Sequence, residues 1–176
     1  MIISPILPLI GEELGIADAA LGTLVSAYSL MVGVFAILSG PVSDKIGRRR
    51  ILMLGCATMT AALVLHAFVV DYYSFLLVRV FAGSAGGILS GAAVSYIGDA
   101  FPYDRRGWAT GWVMSGAAFG QIIGIPLGIV MASRWGFQSP FYMFTVTMAA
   151  TVVLLFYTVP QPDVKRTQHA LSIPKA

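Results

Sequence analysis

Polar and apolar positions along this chain fall in long blocks, without the short period of a soluble amphipathic helix or strand. Residues 21–41 and 51–70 carry no charged side chain, and residues 72–98, 107–133 and 139–160 carry only Arg79. Each block is near or above the ~20 residues with which a helix, rising ~1.5 Å per residue, crosses ~30 Å of hydrocarbon. The pattern predicts five full membrane-spanning helices over these ranges. Between the first two lies a dense charged segment, Gly40-Pro41-Val42-Ser43-Asp44-Lys45-Ile46-Gly47-Arg48-Arg49-Arg50, which reads as a short loop.

The amino terminus departs from this rhythm. Residues 1–15 open with an apolar stretch, Met1 to Ile10, long enough as a helix to reach only about half the hydrocarbon. It reads as the outer part of a first spanning helix whose beginning is missing, with Pro5 and Pro8 making its end irregular; a short interfacial segment is the other reading. It has neither the leading basic region nor the small-residue cleavage site of a signal peptide. Residues 161–176 are polar and read as a cytoplasmic tail or linker.

Composition supports a membrane protein, since 57% of residues are hydrophobic and only 11% charged, which excludes an ordinary soluble domain. Charge then sets orientation, because basic residues beside membrane helices are retained on the cytoplasmic side. Lys45, Arg48, Arg49, Arg50, Arg105, Arg106, Lys165, Arg166 and Lys175 fall on one face, against Arg134 on the other. That face is expected to be cytoplasmic, in the inner membrane of a bacterium. The net charge of +3 is spread over membrane loops, so it does not indicate a nucleic-acid partner.

No catalytic, cofactor or metal chemistry emerges. Cys56 has no second cysteine to pair with, and His66 and His169 are far apart and outside any metal-ligand spacing. Gly83-Ser84-Ala85-Gly86-Gly87 lies inside an apolar span, where a phosphate-binding loop is not expected. An enzyme is not expected.

Glycine spacing carries more. Small residues let helix backbones approach closely in lipid, and Gly116, Gly120, Gly124 and Gly128 recur every fourth residue, with Pro126 inside the last interval. They read as a groove for a neighbouring helix, or as a bend that shapes or seals a cavity. Gly83, Gly87 and Gly91 repeat the spacing one span earlier. Arg79 is a charge well inside a span, where it needs a partner, a wet cavity, or a snorkelling route to the outer interface. His66, near the end of its span, is expected to reach the headgroup region. Gln121, Tyr28, Ser115 and Tyr96 could hydrogen-bond a substrate or a neighbouring helix.

Together these residues resemble the major facilitator superfamily. Gly40-Pro-Val-Ser-Asp44-Lys45-Ile-Gly47-Arg48-Arg49 is similar to its loop signature between the second and third helices, and Leu77-Val78-Arg79-Val80-Phe81-Ala82-Gly83 to its fourth-helix motif, whose arginine is linked to proton transfer. Gly116 to Gly128 resembles the fifth-helix signature of the antiporter branch, although Pro126 stands two residues after Gly124. The resemblance implies an all-α six-helix half-bundle over residues 1–160, made of two three-helix inverted repeats, with the substrate site between two such halves. It also implies a cytoplasmic ion-pair latch of Asp44, Arg48 and Asp99 completed by Lys45 and Arg49, with Gly40 and Gly47 allowing turns. Solvated loop charges that only set topology are the alternative.

The function this implies is one half of a proton-coupled exporter of drugs or sugars, partnered by lipid, a small-molecule substrate, protons, and a second half or a second copy. The alternative is a non-transporting truncated fragment or a membrane interaction subunit.

Overall fold

The computed structural model describes residues 4–160, so the expected tail at 161–176 lies outside the described residues. Six α-helices account for nearly all of it: α1 (Leu7–Leu14), α2 (Asp18–Ile46), α3 (Arg48–His66), α4 (Tyr72–Ala100), α5 (Arg106–Trp135) and α6 (Ser139–Thr158). Five are long and apolar enough to cross a membrane. No strand occurs among the described residues. The chain is an all-α, multi-pass half-bundle.

Helix ends follow local chemistry. Pro5 sits in a one-turn 3-10 segment, Ser4–Ile6, and Pro8 in the first turn of α1, where its missing N–H breaks no helical bond. Gly15 closes α1 in the left-handed conformation, φ 64°. At the start of α4, Asp71 accepts from the Ser74 backbone N–H at 3.0 Å, and the Ser74 hydroxyl accepts in turn from the Asp71 N–H at 3.1 Å.

Hydrogen bonding to its carboxyl by the Ser74 side chain and backbone N–H holds Asp71 below the usual carboxylate range. Because the native pKa lies below the unfolded one, the cap stabilises α4 fully above the ordinary aspartate range and is lost as pH falls through the lowered value. Amide exchange at Ser74 should therefore stay protected at mildly acidic pH and accelerate only in stronger acid. An Asp71→Asn chain should lack that acid step.

The expected loop over Gly40–Arg50 is replaced by something tighter. α2 runs through Pro41 to Ile46, α3 starts at Arg48, and Gly47 alone joins them with φ 110°. Pro41 costs one ladder bond and does not stop the helix; the positive φ at Gly47 does. Gly40 consequently sits inside α2 and makes no turn.

α2 packs along α4, α3 against α4 and α6, and α5 against α6 and the amino-terminal turn. The main apolar core gathers Ile6, Ile10, Leu24, Phe75, Phe137 and Phe141 at the end of the bundle opposite the basic segments. The amino-terminal segment is part of this core, since Ile6 and Ile10 are fully buried. Outward, Leu77, Val94 and Val146 are 69% to 72% exposed, an apolar surface suited to lipid and not to water.

Candidate functional site

At the basic end, Arg48 joins three helices. It opens α3 and donates to Asp99 in the last turn of α4, to Asp44 and the Ser43 hydroxyl near the end of α2, and to the Gly40 carbonyl at 3.3 Å. Ser43 is fully buried and itself donates to the Gly40 carbonyl at 2.8 Å. Helix dipoles disfavour both members of the Arg48–Asp99 pair where they stand: a cation at the amino end of α3 and an anion at the carboxyl end of α4. Each charge offsets the other's unfavourable helix end, which ties the two ends together.

Lys45 and Arg49, expected in the same cluster, are not part of it. Lys45 is exposed and makes no ion pair among the described residues. Arg49 turns to α6, where it donates to the Phe156 carbonyl and lies 5.4 Å from the Phe156 ring centre. It caps the carboxyl end of α6, and two residues beyond that end the Pro160 carbonyl accepts from the Tyr96 hydroxyl of α4 at 3.0 Å. Consecutive residues on a helix point ~100° apart, so Arg48 and Arg49 cannot both face Asp99.

The two glycine rows have different surroundings. Along α4, a Cβ at Gly83 would lie 2.5 Å from the Tyr28 carbonyl and one at Gly87 2.6 Å from the Val32 carbonyl; at Gly91 it would run into Ser39. Here α2 and α4 approach backbone to backbone. Along α5, Gly124 and Gly128 are buried, whereas Gly116 and Gly120 are exposed with nothing within 4 Å of a Cβ. Pro126 lies within continuous helix, and the row is covered over only part of its length.

Arg79 is 4% exposed, donates through Nε to the Leu24 carbonyl at 3.2 Å, and lies 4.3 Å from the Tyr28 ring centre. It lines a 270 Å³ cavity shared by α2, α3, α4 and α6. Among the described residues no carboxylate pairs with it. Gln121 does not join it: that side chain is exposed on α5 and bonds back to the Ala117 carbonyl at 3.4 Å.

His66 corrects an expectation. Instead of reaching the headgroups it is 2% exposed, stacked on Phe141 at 4.6 Å and edge-on to Phe75 at 5.9 Å. Those rings come from α4 and α6, so no local signal pointed to them.

A family model described as Major Facilitator Superfamily matches residues 1–175. Multidrug resistance protein MdtG of Proteus mirabilis (strain HI4320) is 30% identical over 183 residues, covering 97% of this chain and 45% of the relative. MdtG of Klebsiella pneumoniae (strain 342) is 28% identical over 163 residues, covering 90% and 39%. The uncharacterized MFS-type transporter YwfA of Bacillus subtilis (strain 168) is 30% identical over 141 residues, covering 78% and 34%. The chain thus spans less than half the length of these relatives.

Proposed function

Because the chain belongs to the Major Facilitator Superfamily, we propose that it serves as one half of a secondary transporter that exports a small molecule in exchange for protons by alternating access. Relatives named for multidrug resistance support export, and the three-helix junction at Arg48 is the observation that carries the mechanism. In this reading the basic end is cytoplasmic. Arg48 with Asp44 and Asp99 is the latch that holds that side closed and releases as the carrier turns inward. The exposed apolar faces of α2 and α5, including Leu30, Ile37, Trp112 and Ile122, meet a second half or a second copy. The acids within the complete spans, Asp44, Asp99 and Asp104, all lie at the basic end of the bundle, and the first two are engaged with Arg48. A carboxylate that carries the proton near the midplane would therefore come from that partner.

Flux in vesicles tests this reading. The chain, alone or co-reconstituted with the second half of a relative, should move fluorescent drugs under a pH gradient and stop when the gradient is collapsed. Absence of flux in both preparations would leave a non-transporting interaction subunit as the better reading, and flux that persists without the gradient would remove proton exchange. Asp44→Asn should change transport by roughly threefold, matching the ~0.6 kcal/mol of a solvent-facing ion pair, and should raise labelling of cysteines placed on the cytoplasmic side. Unchanged flux together with unchanged labelling would remove the latch from the mechanism.

A further inference from the structure

The cavity that holds Arg79 contains a second polar feature that the latch and the glycine rows leave unexplained. His66 hydrogen-bonds through Nδ1 to the Ala62 carbonyl at 2.7 Å. A carbonyl only accepts, so Nδ1 carries the proton, and the neutral ring presents a bare lone pair at Nε2. That Nε2 is buried and has no hydrogen-bond partner, a condition that costs free energy unless something donates to it. The ring lines the same cavity as Arg79, with Tyr28, Phe141 and Phe144 among its walls. One cavity therefore holds a guanidinium without a carboxylate partner among the described residues, an acceptor lacking its donor, and aromatic walls.

We propose that this cavity binds a small aromatic acid that carries its own hydrogen-bond donor. The carboxylate pairs with Arg79, the ring lies among Tyr28, Phe141 and Phe144, and a hydroxyl on the ring donates to His66 Nε2. Guanidinium suits a carboxylate because it offers donors in a planar fork. His66 supplies selectivity, since a ligand without the donor leaves Nε2 buried and unpaired, and sites built around a buried polar group reject such ligands strongly. The site lies within one half-bundle. It needs neither a partner half nor transport.

The test is equilibrium binding to the full chain in lipid nanodiscs at neutral pH, followed by calorimetry, with no gradient present. Hydroxybenzoate, as its meta and para isomers, is compared with benzoate and with hydroxybenzyl alcohol. At least one hydroxybenzoate should bind about tenfold more tightly than benzoate, the ratio expected from pairing one buried acceptor, and hydroxybenzyl alcohol should bind more weakly than either acid. His66→Phe, which retains an aromatic ring for the Phe141 stack, should erase the preference for the hydroxyl, and Arg79→Gln the preference for the carboxylate. The proposal is overturned if neither hydroxybenzoate outbinds benzoate on the unaltered chain, or if the preference survives in His66→Phe. The comparison of ligands on the unaltered chain stands even if a variant fails to fold. A chain that binds in this pattern yet moves nothing across vesicles keeps the site and loses only the carrier reading.

Discussion

Gly87→Leu is expected to abolish accumulation of the folded chain in the membrane. A Cβ at this position already meets the Val32 carbonyl at 2.6 Å and the Phe35 Cβ at 2.7 Å. The nearest obstacle is backbone, which cannot rotate aside as a long side chain can. Accommodating leucine means separating α2 from α4 along the seam where they pack most intimately, and even modest overpacking of a well-filled interior costs ~1–3 kcal/mol. Loss of the seam as well should bring the total to ~3 kcal/mol or more, a large share of the ~5–15 kcal/mol that holds a typical domain folded. Gly98→Ala, on the same helix with open space around it, should instead be neutral or stabilising by ~0.5–1 kcal/mol, because glycine weakens helix interiors. Gly116→Leu should leave folding of this chain unchanged. Thermal unfolding in detergent by circular dichroism reads all three, and a Gly87→Leu chain melting with the unaltered protein would refute the close-approach account.

The second large effect is expected at Arg48. Truncation to alanine strips Asp99 of its cation while leaving it at the dipole-disfavoured end of α4, and leaves buried Ser43 without the donor it faces. With Asp44 and Asp99 partly open to solvent, the loss should be ~2–3 kcal/mol, in the range for hydrogen bonds to charged groups. Lysine should recover only part of it, since a single ammonium cannot reproduce the fork that reaches Asp99, Asp44 and Ser43 together. A double-mutant cycle with Asp99→Asn isolates the pair. Additive effects of the two substitutions would mean that the pair contributes no coupling and that each residue acts alone.

The spans were legible because hydrocarbon thickness imposes length and apolarity at once, and no soluble fold imposes both. Boundaries were less legible. Charges over residues 43–50 suggested a loop, but a helix emerging from a bilayer keeps its backbone bonds in water as well as in lipid, so charge alone does not end it. The stop came from the backbone of Gly47. Arg79 stood out as a charge in an apolar run, whereas its cavity depends on four helices and was invisible along the chain. His66 was misread for the same reason. The choice between Arg48 and Arg49 turned on the rotation of one helix, which three consecutive arginines do not reveal.

Gly47 also has a mechanical consequence. Its N–H donates to the Ser43 carbonyl at 2.9 Å and its own carbonyl accepts from Ile51 at 3.2 Å, so this one-residue elbow between two membrane-length rods is clamped from both sides. There is no slack to absorb a tilt of one rod relative to the other. A tilt of α2 would be passed to α3 as torque, and on to α4 only while the adjacent arginine holds Asp99, so release of that pair would uncouple α4 from the other two rods.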